Sequence, residues 1–179
     1  MNELTDELVE LGREQRLAGG HWLLGAAPSF QVARRNCEEA GVTFLKPGVL
    51  FGAIVVRAAV VHAALLLNDP AEWGPSLRAG FGGGPVFYGE QRFGTEGTYI
   101  ALKPASVAAM QDVRRSVAHH HGALLEVPAP ERVRPDEGPA WWVASLEGPA
   151  VLCASDPLAD LIGLGHDALT GRLGGSRGA

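Results

Sequence analysis

The sequence predicts an α+β domain in which a mixed or mostly antiparallel sheet packs with helices. Three observations point there. Leu4, Leu8 and Leu11 near the start, and the run after Ser155-Asp156-Pro157 near the end, carry apolar residues at helical spacing. Between them lie short β-branched and aromatic runs, bounded by glycine and proline, that read as strands. The chain has 179 residues, 46% hydrophobic and 20% charged, which suits one buried core. With no internal repeat and no long linker, residues 1–170 are expected to form a single domain and residues 171–179 a disordered tail.

Taken in order, the first helix is expected over residues 3–18, acidic in its first turn and stopped by Gly19-Gly20. Ser29 is a candidate N-cap for a second helix, and Gly41 its C-terminal glycine. After the turn signal Lys46-Pro47-Gly48, residues 49–56 read as a central strand, apolar on both faces. Residues 58–67 turn rich in alanine and leucine, as a helix packed on the sheet would be, and Asn68-Asp69-Pro70 ends it. Residues 85–88 and 98–102 form a hairpin with a long glycine-containing loop. Pro104 opens a helix to about Val117, and strands follow at 123–127, 141–145 and 150–153. Residues 128–139, rich in proline and charge, make a surface loop; the last helix runs from Ser155 to about Leu169.

A net charge of −5 with no basic block leaves out the attraction on which non-specific nucleic-acid binding depends. Cys37 and Cys153 lack the spacing of a zinc site or a disulfide framework, so reduced thiols and a cytoplasmic location are expected. The acidic start carries no export signal. Gly48 to Leu67 approaches membrane-spanning length, but Arg57 sits near its centre, at a cost of ~2.5–3.5 kcal/mol in lipid. A buried strand followed by a buried helix is the expected reading.

Few residues carry chemistry. Gly82-Gly83-Gly84 could bring backbone amides near a ligand, yet the run lacks a P-loop ending and precedes a strand. His119, His120 and His121 fall near the predicted end of a helix, where adjacent side chains diverge and cannot share one metal. His62 lies among apolar residues, either hydrogen-bonded in the core or facing a pocket, and Arg57 could hold an anion or pair with a carboxylate. Trp141 and Trp142 point to opposite faces of a strand, so one should be core and the other should cover a second layer, a ligand or a partner. Cys153 precedes a helix start, which lowers a thiol's pKa when exposed, but an inert core residue is the simpler reading. No cofactor motif and no metal site are expected.

Residues 50–56, Gly82-Gly83-Gly84-Pro85-Val86-Phe87 with Tyr99-Ile100-Ala101-Leu102, and residues 124–130 followed by Trp141-Trp142-Val143 together resemble the layout of the bifunctional primase-polymerase (prim-pol) domain. The layout is also similar to that of a group of uncharacterised actinobacterial proteins. The resemblance covers roughly residues 20 to 165. It implies a first core strand bearing paired acids for two-metal nucleotidyl transfer, but residues 51–57 contain no acid. Two functions therefore compete. One is a non-catalytic prim-pol-like module binding a small molecule or partner protein through Arg57, the glycine run and Trp142. The other is a small biosynthetic enzyme with His62 or one of His119, His120 and His121 as general base, Tyr99 as proton donor or oxyanion partner, and Arg57 gripping an anionic substrate. A homo-oligomer with an aromatic interface is a further expectation.

Overall fold

The most apolar stretch of the chain forms the second of five strands in an antiparallel sheet, where both of its faces are covered. The computed structural model describes residues 3–66, 74–90, 97–105, 117–120 and 123–171. Along the chain these form α1 (Glu3–Leu23), α2 (Phe30–Ala40), β1 (Val42–Leu45), β2 (Gly52–Arg57), α3 (Ala58–Leu65), α4 (Gly74–Gly80), β3 (Val86–Gly89), β4 (Thr98–Lys103), β5 (Val117–His120), β6 (Leu125–Pro128), β7 (Ala140–Ala144) and α5 (Ser155–Leu169). The large sheet has the order β5-β2-β4-β3-β7, every neighbouring pair antiparallel. β1 and β6 pair separately as an antiparallel ribbon.

Alternation along the strands divides the interior in two. Ile54 and Val56 of β2, with Tyr99 and Ala101 of β4, meet Val60, Val61, Leu158 and Ile162 of α3 and α5. Ala53, Val55, Ile100 and Leu102 face the other way, onto Leu23, Leu45, Leu125 and Val127 beneath α1 and the ribbon. The β3–β7 register skips Val143, with Val86 opposite Ala144 and Phe87 opposite Trp142. This bulge sends Trp142 into the ribbon-side core and Ala144 into the helix-side core, where a regular strand would aim both the same way.

The expected fold class holds: an α+β domain with an antiparallel sheet packed by helices. Gly41 adopts the left-handed conformation at the end of α2, its N–H donating to the Cys37 carbonyl at 3.0 Å. The long apolar segment divides at Arg57 into β2 and α3, and among the described residues no helix is long and apolar enough to cross a membrane.

Several expectations need correction. α1 runs through Gly19-Gly20 to Leu23. A Cβ on Gly19 would lie 2.9 Å from the Gly148 carbonyl oxygen, and one on Gly20 would collide with the Pro130 ring. Close approach of α1 to these loops explains the glycines, and it outweighs their cost of roughly 1 kcal/mol each in helix propensity. β2 starts at Gly52, because Gly48 N–H closes a turn on the Phe51 carbonyl. Pro104 and Ala105 are not helical, and residues 106–116 lie outside the described residues. His119 and His120 stand in β5, opposite Ile54 and Ala53, and not at a helix end. Residues 150–153 form no strand, although Cys153 N–H donates to the Leu102 carbonyl at 2.8 Å. β1, α4 and β5 were not anticipated. Asn68-Asp69-Pro70, His121 and residues 172–179 lie outside the described residues.

Candidate functional site

The structure brings two of the proposed catalytic residues together. His62, in the last turn of α3, shares a hydrogen bond with the Tyr99 hydroxyl at 3.1 Å, the rings edge to face with centroids 5.8 Å apart. Tyr99 has no exposed surface and is bordered by Phe81 and Tyr88. A partner of this kind satisfies a half-buried imidazole, as the core reading of His62 requires. Arg57 does not join them. It pairs in register with Thr98, one position beyond the Val56–Tyr99 pair, and is exposed at the N-cap of α3.

The glycine run closes α4. Gly82 and Gly83 have φ of 75° and 86°, the left-handed region that glycine enters without a Cβ clash. Phe81, Gly82 and Gly83 direct their amides to the carbonyls of Leu77, Ala79 and Arg78, at 2.9, 3.1 and 2.7 Å. These three amides are therefore occupied by the helix end and do not form a phosphate cradle. Gly84 lies against the backbone of Cys153, leaving no room for a side chain. Trp142 is 2% exposed, and its indole N–H donates to the carbonyls of Pro128 and Ala129 at 3.2 and 3.1 Å. Trp141 is buried as well, packed on Tyr88 with centroids 4.8 Å apart.

A large cavity lies elsewhere among the described residues, in a part of the chain to which the sequence assigns no site. It is an open cleft of about 730 Å³ between α1, α2 and the loop after β6. Leu17, Ala18 and Leu24 supply apolar wall, with Pro130 opposite; His21, Arg34, Cys37, Glu38 and Glu131 supply its polar groups. The short helical turn Leu24–Ala26 between α1 and α2 lets the two helices diverge, and His21 packs edge-on against Phe30 at 5.0 Å across the junction. Arg34 pairs with Glu38 one turn on, at 2.9 Å. No spacing rule links these residues, because they come from three separate stretches of sequence. Among the described residues, no group of three or more His, Cys, Asp or Glu side chains is placed to hold a metal ion.

Both thiols are held protonated. Burial, then the negative charges of Glu131 and Glu38, raise Cys37 to about 11. Burial raises Cys153 to about 12 against the smaller opposing effect of backbone hydrogen bonds and Arg78, which agrees with an inert core residue and not an activated nucleophile. Each thiol titrates near 9.0 when unfolded, so its contribution is intact below pH 9 and is lost as pH rises toward its folded value. Cys153→Ala should therefore show a shallower fall above pH 9 in the unfolding free energy measured by urea denaturation, by up to roughly 1.4 kcal/mol per pH unit. An unchanged alkaline slope would contradict this assignment.

Comparison with protein-family models, curated proteins and solved structures finds no match to the chain.

Proposed function

We propose that this chain is a non-catalytic binding module that holds a small molecule in the cleft between α1, α2 and the loop after β6. One observation carries the reading: the cleft's volume, about 730 Å³, falls within the ~300–1,000 Å³ of ordinary ligand sites. Its make-up supports it, with apolar walls to bury a ligand body and a few polar groups to orient it. The prim-pol-like layout remains part of the proposal. β2, the strand that carries the family's metal-binding acids, here reads Gly52-Ala53-Ile54-Val55-Val56-Arg57 and is built for packing. In this reading the cleft replaces Arg57, the glycine run and Trp142 as the ligand site.

The test is a thermal-shift screen of small molecules against the wild type and Ala18→Trp. Ala18 is exposed on the cleft wall, so an indole there fills the cavity without entering the core. Ligands should raise the melting temperature of the wild type by several degrees and lose that effect in the variant. Hits indifferent to Ala18→Trp would place binding elsewhere, and magnesium-dependent nucleotide incorporation would end the non-catalytic reading.

The His62–Tyr99 contact supports a second reading, a small enzyme with His62 as general base. Because Tyr99 is fully buried, His62 is the member of the pair that a substrate meets. In this reading His62→Gln abolishes turnover while ligand binding survives; equal activity in the variant and the wild type would refute it.

A further inference from the structure

α2 is held down by little. Ala33 is its one fully buried residue, and both flanks of the helix are hollow. On one side is the cleft; on the other, between α2 and β1, is a groove of about 250 Å³ bordered by Val32, Asn36 and Phe44. Between them is a void of about 10 Å³ that shares lining residues with each. Cys37 lines both the cleft and the void, and Thr43 lines both the void and the groove. Leu45, Val127 and Trp142 make the rest of the void's wall apolar.

Thr43 is the group in this seam that packing does not explain. β1 alternates so that Thr43 and Leu45 are buried while Phe44 is exposed. Thr43 is 2% exposed, and its hydroxyl has no hydrogen-bond partner. A buried hydroxyl without a partner is costly, and natural interiors rarely keep one without a use. Threonine here sits where valine would fill the same shape, so a polar atom supplied from outside accounts for it. The ends of α2 suit movement, with Ala27-Pro28-Ser29 extended or irregular before it and left-handed Gly41 after it.

We propose that cleft, void and groove are one channel under α2 for an elongated, mainly apolar small molecule carrying one hydrogen-bonding oxygen, which the Thr43 hydroxyl meets. The inference rests on the cleft being a ligand site and adds the ligand's class and path. The void holds no more than about one water-sized sphere, so α2 lifts to admit the chain, and the ligand fills the space that opens beneath it.

Stearate and 10-hydroxystearate share a head group and differ by one mid-chain oxygen, which makes them suitable probes. Binding is followed by tryptophan fluorescence, since Trp142 borders the void. The wild type should bind the hydroxy acid about five- to tenfold more tightly, one hydrogen bond's worth. Thr43→Val should erase that preference and raise the melting temperature of the free protein, because the unpartnered hydroxyl is gone. Cys37→Phe, which plugs the pinch, should abolish binding of both probes. A preference that survives Thr43→Val, a free-protein melting temperature that does not rise, or no binding of either probe would overturn the channel. Ligands sensitive to Ala18→Trp but indifferent to Thr43→Val and Cys37→Phe would keep the cleft and overturn the channel alone. Indifference to Ala18→Trp as well would overturn the cleft.

Discussion

Truncating Trp142 to alanine is expected to destabilise the protein by about 3–5 kcal/mol, the cost of deleting a large ring from a packed core. The indole sits between the large sheet and the β1–β6 ribbon, edge-on to Phe87 at 5.3 Å. Its N–H also satisfies two carbonyls at the end of β6. Trp142→Phe separates the two roles: it keeps an aromatic ring against Phe87 but leaves both carbonyls without that donor. Its cost should be smaller, about 1–3 kcal/mol. Urea denaturation measures both. A Trp142→Ala variant within about 0.5 kcal/mol of the wild type, the ordinary range for surface substitutions, would show that the ring does not join the two layers.

The second large effect lies where α3 crosses α5. Two glycines two residues apart on α5 are expected to respond with opposite signs. Gly165 is buried, and a Cβ there would overlap the Val60 carbonyl oxygen, which backbone geometry holds in place. Gly165→Ala must push the helices apart, at a cost of about 1–3 kcal/mol or more. Gly163 is exposed with nothing within 4 Å of its hypothetical Cβ, so Gly163→Ala should stabilise by up to roughly 1 kcal/mol through helix propensity. Paired thermal and urea melts decide it. Two changes of the same sign would mean that the α3–α5 crossing is not as close as described.

Much of this architecture was legible in the residues because its signals are local. The β-branched run ending at Val56, the switch to alanine and leucine after Arg57, and the start at Ser155 place β2, α3 and α5 without reference to the rest of the chain. Each signal is a periodicity or a cap, set within a few residues. Where the reading failed, a distant contact had overridden the local preference. Gly19-Gly20 would end an isolated helix, but packing against Pro130 and Gly148 carries α1 onward. β1 has four residues, too few for a pattern, and it is held by its ribbon partner β6. His119 and His120 have no strand signature, and β5 exists through its pairing with β2.

By itself the sequence determined the α+β class, the apolar central strand without acids, and the helix that covers it. Hydrophobic burial and backbone propensity are written into neighbouring residues, so these could be read directly. The candidate site was decided by tertiary structure alone. Leu17, Cys37 and Glu131 border one cleft, and Cys37 and Thr43 border one void, because α1, α2 and the loop after β6 are brought together from separate stretches. A cavity is a gap between elements, and the Thr43 hydroxyl lacks a partner only because of what the fold packs around it.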